Sequence, residues 1–207
     1  MKIAVIAASG RSGSAFVEAA LVAGHSVRAG VRNNNPLKPH PNLTVVHCDA
    51  TNSKELRELL SGQEAVASFI GHGTDSPADV QTTAIQNTTN IMKEEGIKRV
   101  ASVTGTGVHF PGDVFSLMDQ LLNLAIKVID RSRLVDGINH VKVLEGSGLD
   151  WTVIRVLKLQ DIHEGPFELR LHGPTKWYTS RQEVAEAVLQ VLEQDSFIRQ
   201  SPIIGRA

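Results

Sequence analysis

Short runs of branched and small apolar residues alternate along the chain with stretches whose apolar positions recur every three or four residues. Lys2 to Ala7 is a run of the first kind and fits a strand buried on both faces. Ser12 to Ala23 is of the second kind, with Phe16, Ala19, Ala20 and Ala23 on one helical face and Gly24 where a helix stops. The alternation repeats. Ser26 to Arg32 reads as a strand, Asn33 to Asn42 as a polar, proline-broken loop, Thr44 to Cys48 as a strand and Lys54 to Leu60 as a short helix. Ala65 to Ile70 is a fourth strand, about Ala78 to Glu95 a helix, and Arg99 to Thr104 a fifth strand. Phe115 to Ile129 and Val135 to Glu145 have helical periodicity, and Trp151 to Val156 reads as a sixth strand. Ser180 and Glu183 have capping-box spacing ahead of Val184 to Leu192, and Pro202 to Ile204 adds a last strand. Helical crossovers between buried strands predict right-handed βαβ units and a mostly parallel, doubly wound α/β sheet with helices on both faces.

Length and composition narrow the class. A chain of 207 residues is best read as one domain, and its 42% hydrophobic and 21% charged content is that of a globular protein. The 21 basic and 22 acidic side chains leave a net charge of -1, which argues against a nucleic-acid binder that works by neutralising phosphates. The lone Cys48 excludes an internal disulfide and fits a reducing compartment. The apolar run Ile3 to Ala8 is too short for an export signal, and no stretch approaches the roughly 20 apolar residues of a membrane helix. The expectation is a soluble, cytoplasmic protein with neither membrane nor direct nucleic-acid partner. The eight histidines include no pair spaced for zinc on one helix, so no metal is expected. No serine has a Gly-x-Ser-x-Gly elbow around it.

The chemistry concentrates in the first strand-to-helix turn, Ala7-Ala8-Ser9-Gly10-Arg11-Ser12-Gly13. Gly10 lets the backbone approach a pyrophosphate, Gly13 lets the helix pack on the strand, and the helix start offers N–H groups to phosphate. Ala7 stands where the fingerprint has its first glycine. A left-handed backbone there costs alanine about 1–2 kcal/mol, and a reshaped turn is the expected way out. At the end of the second strand, where NAD-binding domains carry an acidic residue, the chain has Arg32. A guanidinium cannot accept ribose hydroxyls but suits a 2′-phosphate, and Arg11 can reach the same group; NADP(H) is preferred over NAD(H) on this reading.

Ala7 to Gly13, Val31-Arg32, Asp49-Ala50 and Leu149 to Arg155 together resemble the atypical short-chain dehydrogenase/reductases, closest to the NmrA-like and biliverdin reductase B/flavin reductase groups. The resemblance runs over nearly the whole chain and implies a single NAD(P)-binding Rossmann domain over 1–207. A small substrate-side region is expected from about 105–135 and 156–180. The resemblance implies cofactor contacts from Ala7, Ser9, Gly10, Arg11, Ser12, Gly13 and Arg32, and from Asp49 and Ala50, with Asp49 approaching the adenine amino group. Gly71, His72 and Gly73 would line the ribose and pyrophosphate, and Thr104, Lys142 and Val156 the nicotinamide end. An alternative for Asp49 is a plain helix cap, and for Thr104 a plain strand end.

The departures bear on activity. Short-chain dehydrogenases use a Tyr-x-x-x-Lys pair as general acid; Lys142 stands at the lysine, but Ile138 replaces the tyrosine. The lone Tyr178 is far along the chain, Gly105 follows Thr104 where a serine is usual, and Val156 replaces a proline. Thr104 and Lys142 remain the candidate catalytic residues, with Thr106 or His109 as further acceptor contacts. The segment Thr106 to Arg133, with His109, Phe110 and the apolar Phe115 helix, is either an acceptor pocket or a helix packed on the core or a partner subunit. The leading function is hydride transfer from NADPH to a flavin-, quinone- or tetrapyrrole-like small-molecule acceptor, which positioning alone can support. The alternative is a non-catalytic NADP(H)-binding redox sensor of NmrA-like type, with a homodimer or regulatory protein partner left open. A sugar-nucleotide epimerase ranks last for want of the tyrosine.

Overall fold

A computed structural model describes residues 1–73, 76–105, 131–162, 165–173 and 176–206. The elements alternate from the start: β1 (Lys2–Ile6), α1 (Arg11–Val22), β2 (Ser26–Val31), β3 (Leu43–His47), α2 (Ser53–Leu60), β4 (Ala65–Ser68), α3 (Val80–Glu95) and β5 (Arg99–Gly105). After the undescribed 106–130 come α4 (Arg131–Glu145), β6 (Asp150–Val156), β7 (Lys158–Gln160), β8 (Phe167–Arg170), β9 (Tyr178–Ser180), α5 (Arg181–Glu193) and β10 (Ile203–Arg206). The helix expected over Phe115 to Ile129, and Thr106, His109 and Phe110, lie outside the described residues.

The main sheet runs β3-β2-β1-β4-β5-β6-β10-β8, and a small second sheet pairs β7 with β9. All neighbours in the main sheet are parallel except β8, which runs antiparallel to β10. This is the expected doubly wound α/β fold. The continuous apolar strands are explained by two cores, one on each face. Ile3 and Val5 point into a layer with Phe16, Ala20, Val184, Val188 and Leu192 from α1 and α5. Ala4 and Ile6 point the other way, into Leu56, Leu59, Ile85, Met92 and Leu144 from α2, α3 and α4. Burial of one Leu-sized side chain contributes about 1.5–3 kcal/mol, so alternate residues of one strand hold both layers in place.

Strand β1 sits between β2 and β4, where the chain turns back to build the sheet's other half. Ligands of open parallel sheets bind outside the carboxyl ends of the strands at such a switch point. Strands β7, β8 and β9 are additional to the expected elements. They are three or four residues long; β7 and β8 are only partly buried, and β9 buries Thr179 and Ser180. Their order comes from pairing with distant partners, Lys158 with Tyr178 and Ile203 with Arg170. The capping box at the start of α5 is present: the Ser180 hydroxyl accepts from Glu183 N and the Glu183 carboxylate accepts from Ser180 N.

Candidate functional site

The first turn keeps its shape by accepting strain. Ala7 has φ +59°, in the left-handed region. The expected reshaping does not occur; the alanine adopts the glycine conformation at a cost of about 1–2 kcal/mol. Its carbonyl accepts from Gly10 N at 3.1 Å, and Ala8 N donates to Gly30 O at 3.0 Å, which closes the turn onto β2. Gly13 is obligatory for packing: a Cβ there would lie 2.3 Å from Ala7 O and 2.9 Å from Ala8 Cα. Helix α1 starts at the N-cap Gly10, which supplies no side-chain acceptor, and its first turn contains no acidic residue. The opening N–H groups of α1 therefore meet the cleft uncapped, with the positive end of the helix dipole behind them, which is the donor set a pyrophosphate needs.

In front of this turn lies a cleft of about 420 Å³, lined by Ala7, Ser9 to Gly13, Arg32, Asp49, Ala50 and Gly71 to Gly73. Twelve sequence-predicted positions thus meet in one lobe. Arg32 Nη1 is 4.0 Å from Asp49 Oδ2 on its far wall. Asp49 does not cap α2; Asn52 does, accepting from Lys54 N and Glu55 N. Instead Asp49 Oδ1 accepts from the Thr51 hydroxyl at 2.7 Å and from Thr51 N at 2.9 Å. Thr51 holds its carboxyl below the usual carboxylate range, against partial burial, with Arg32 and His47 assisting. Asp49 is thus an ionised acceptor beside a guanidinium. Cys48 also lines the lobe, but burial and the nearby carboxylates of Glu55, Asp49 and Glu58 push its thiol up to about 12. It stays protonated and is no nucleophile.

A second lobe of about 490 Å³ shares Ser12, Phe69, Ile70, Gly71, His72 and Leu159 with the first, so the two are one continuous cleft. Thr104 and Val156 lie here, at the ends of β5 and β6, beside Val103, Leu157, Lys158 and Arg133. Lys142 does not reach it: the side chain is exposed in the last turn of α4 and belongs to neither lobe. Ile138, at the place of the usual tyrosine, packs against the second core. Tyr178 is brought closer than its number suggests, because the β7–β9 pairing sets Lys158 over its ring at 5.0 Å. The cation lies over the ring face, so the pair is not a lysine-activated phenol.

His72 is fixed rather than poised. Its Nε2 faces Asp136 Oδ2 at 3.1 Å and Ala78 O at 3.2 Å, and its Nδ1 accepts from the Gln81 side chain at 3.2 Å. Asp136 in turn accepts from Gln81 N and Thr82 N, each at 2.9 Å, and caps α3 from across the fold while the helix's own N-cap, Asp79, makes no cap bond. Beneath, His140 Nε2 meets the Ser102 hydroxyl at 2.9 Å. Burial pushes His140 down to about 4, although the Asp136 charge and the Gln81 carbonyl oppose it. This buried layer ties β5, α3, α4 and the Gly71–Gly73 loop together under the second lobe. Sequence reasoning missed it, and also missed Arg181, which enters the first lobe from the start of α5. A capping-box neighbour carries no local signal of a cleft 170 residues away in the chain. The arrangement offers uncapped backbone N–H groups, a wall pairing Arg32 with Asp49, and a mostly apolar slot, and no described acid stands free to protonate a substrate.

Comparison with known proteins agrees with this geometry. The NAD(P)H-binding family model matches residues 7–195. An uncharacterized chloroplastic protein of Arabidopsis thaliana is 25% identical over 225 residues, covering 100% of this chain and 77% of its own length. Among solved structures, a short-chain dehydrogenase/reductase from Veillonella parvula in complex with NADP superposes with a TM-score of 0.82 at 18% identity, covering 99% of this chain and 94% of its own. A putative NADH-flavin reductase from Streptococcus pneumoniae gives a TM-score of 0.80 at 21% identity, with 100% of both chains covered. The family match converges with the glycine turn, and the solved structures with the Rossmann fold: the chain is a member of the NAD(P)H-binding family.

Proposed function

We propose that the protein is an NADP(H)-dependent reductase that hands hydride to a flat conjugated acceptor such as a flavin, a quinone or a tetrapyrrole. The observation that carries this reading is the second lobe: an apolar slot continuous with the cofactor lobe, opening at Thr104 and Val156, and lined by no tyrosine and no acidic residue among the described residues. Alcohol–ketone chemistry needs a side-chain acid there. A flavin or quinone does not; it accepts the hydride while stacked against the nicotinamide and takes its proton from water, as NADPH becomes NADP+. Positioning is then the main catalytic contribution. Thr104 serves as a hydroxyl contact to the acceptor or carboxamide edge. Arg32 on the first lobe supports NADPH over NADH, because it offers a guanidinium fork where a 2′-phosphate would lie. Lys142 has no part in this reading.

A second reading draws on the same lack of a proton donor: a sensor that binds the dinucleotide without turnover. One experiment separates them. Nicotinamide oxidation is followed with FMN, riboflavin and a small quinone offered in turn, with NADH as the comparison. Protein-dependent turnover that prefers NADPH supports the reductase. Tight NADPH binding without turnover on any acceptor rejects it in favour of the sensor.

A further inference from the structure

The cofactor lobe carries an internal anion at its mouth. Asp161, just past β7, lies between two arginines from elements far apart in sequence: Arg11 of the glycine turn, whose Nη1 is 3.7 Å from Asp161 Oδ2, and Arg181 at the start of α5, which donates to Asp161 Oδ1. Both arginines line the lobe beside Ser9, Gly10 and Ser12, whereas Asp161 lies outside it, on the groove between α1 and α5. The three side chains differ in freedom. Those of Arg11 and Asp161 are 74% and 70% exposed, while that of Arg181 is only 12% exposed and is held at a helix start.

The structure assigns Arg181 as a pyrophosphate-binding residue and Asp161 as the counter-ion that a phosphate displaces. The assignment rests on the cofactor reading above and extends it. Two guanidinium forks on one carboxylate leave the trio with net positive charge, and a pyrophosphate, with more charge and more acceptor oxygens than a carboxylate, is the better match for both forks. The uncapped start of α1 faces the same space, so the displaced geometry adds two guanidinium donors to the backbone donors already there. The two outer partners are highly exposed, so the carboxylate is held weakly and gives way at little cost. Arg32 reads from a different wall and has its own carboxylate, Asp49. The arginines therefore divide the work: Arg181 senses the diphosphate common to both cofactors, and Arg32 the group that distinguishes them.

The test is equilibrium binding of NADPH, NADH and inorganic pyrophosphate to wild type, Arg181→Gln, Asp161→Asn and the double variant. Arg181→Gln is expected to weaken NADPH and NADH equally, by roughly tenfold. Asp161→Asn is expected to tighten both by about two- to fivefold, the range of an exposed ion pair, and the gain should shrink in the Arg181→Gln background. Pyrophosphate should follow the same order. Asp161 is mostly exposed, so the Asn variant reports even if Arg181→Gln folds poorly. If wild type binds NADPH but Asp161→Asn leaves affinity unchanged or lowers it, the trio is only a surface pin and the assignment is overturned while the cofactor reading stands. If neither dinucleotide binds yet pyrophosphate still depends on Arg181 and Asp161, the assignment survives the loss of the cofactor reading. If nothing binds, both fall.

Discussion

Acidification probes whether the polar layer under the second lobe is as dry as its geometry implies. His140 is buried between Ser102 and the start of α3. In the unfolded chain its imidazole protonates near pH 6.5; in the fold, burial delays this until about 4. Between those values the unfolded state binds a proton that the native state does not, so stability falls as pH is lowered through the window. Above the window the ring is neutral in both states and adds no slope. At 1.36 kcal/mol for each pH unit, the full window is worth about 3 kcal/mol, a large share of the 5–15 kcal/mol typical of a domain. The perturbation is His140→Gln, which can still hydrogen-bond Ser102 but does not titrate. Urea unfolding of both proteins from about pH 7.5 down to about pH 4.5 gives two stability curves, whose difference removes carboxylates common to both, Asp49 included. Wild type should lose at least about 2 kcal/mol more than the variant across that range. Parallel curves would refute the reasoning: His140 would then protonate alike in both states, with the Asp136 charge offsetting burial.

Two further outcomes follow from the first lobe. Gly13→Ala sets a Cβ against backbone atoms that cannot rotate away, so α1 must move outward by about 1 Å; overpacking of this kind costs typically 1–3 kcal/mol and should lower Tm and weaken both cofactors together. Retained stability would mean that the turn is softer than its geometry. Arg32→Glu should weaken NADPH by about 1–3 kcal/mol and spare NADH, as measured by direct titration. Equal losses for both cofactors would show that Arg32 does not read the 2′-phosphate.

The fold was legible because its signals are local. A parallel strand covered on both faces is a nearly continuous apolar run, so Lys2–Ile6, Ala65–Ser68 and Arg99–Gly105 were recognisable without knowing their neighbours. The crossover helices announced themselves by periodicity, and α5 by its capping box. Strands β7, β8 and β9 were not legible, because nothing in three or four residues without a continuous apolar run distinguishes a strand from a loop. Their order is imposed from outside, as the Arg155 guanidinium shows: buried in β6, it donates to Ser201 O at 2.9 Å and Leu171 O at 3.0 Å and so ties β10 and the end of β8 to the sheet.

The site divides along the same line. Residues 7 to 13 and Arg32 form one βαβ unit, so spacing alone placed them around one lobe. Ala7 shows both the reach and the limit of such reasoning. The strain at that position was foreseeable from the fingerprint, but whether the turn or the residue would yield was not. The answer lies in tertiary contacts. The Ala7 carbonyl is held by Gly10 N, Ala8 N by Gly30 O, and the Gly13 Cα surface presses on the turn, so several bonds would break to relieve one dihedral. Lys142 marks the opposite case. The short-chain dehydrogenase pattern assigned it a role by its place before β6, yet α4 turns that position outward, and Ile138 one turn earlier packs inward where a catalytic tyrosine would be needed. A lysine without its tyrosine has no proton to tune, and the helix is free to be phased by its core residues instead. Those include Asp136 and His140, one turn apart on the buried face, which serve α3 and β5 rather than a substrate. The place a general acid would take is filled, among the described residues, by a scaffold of buried hydrogen bonds, and the reductase proposed above asks for no more, because its bound partners do the reacting.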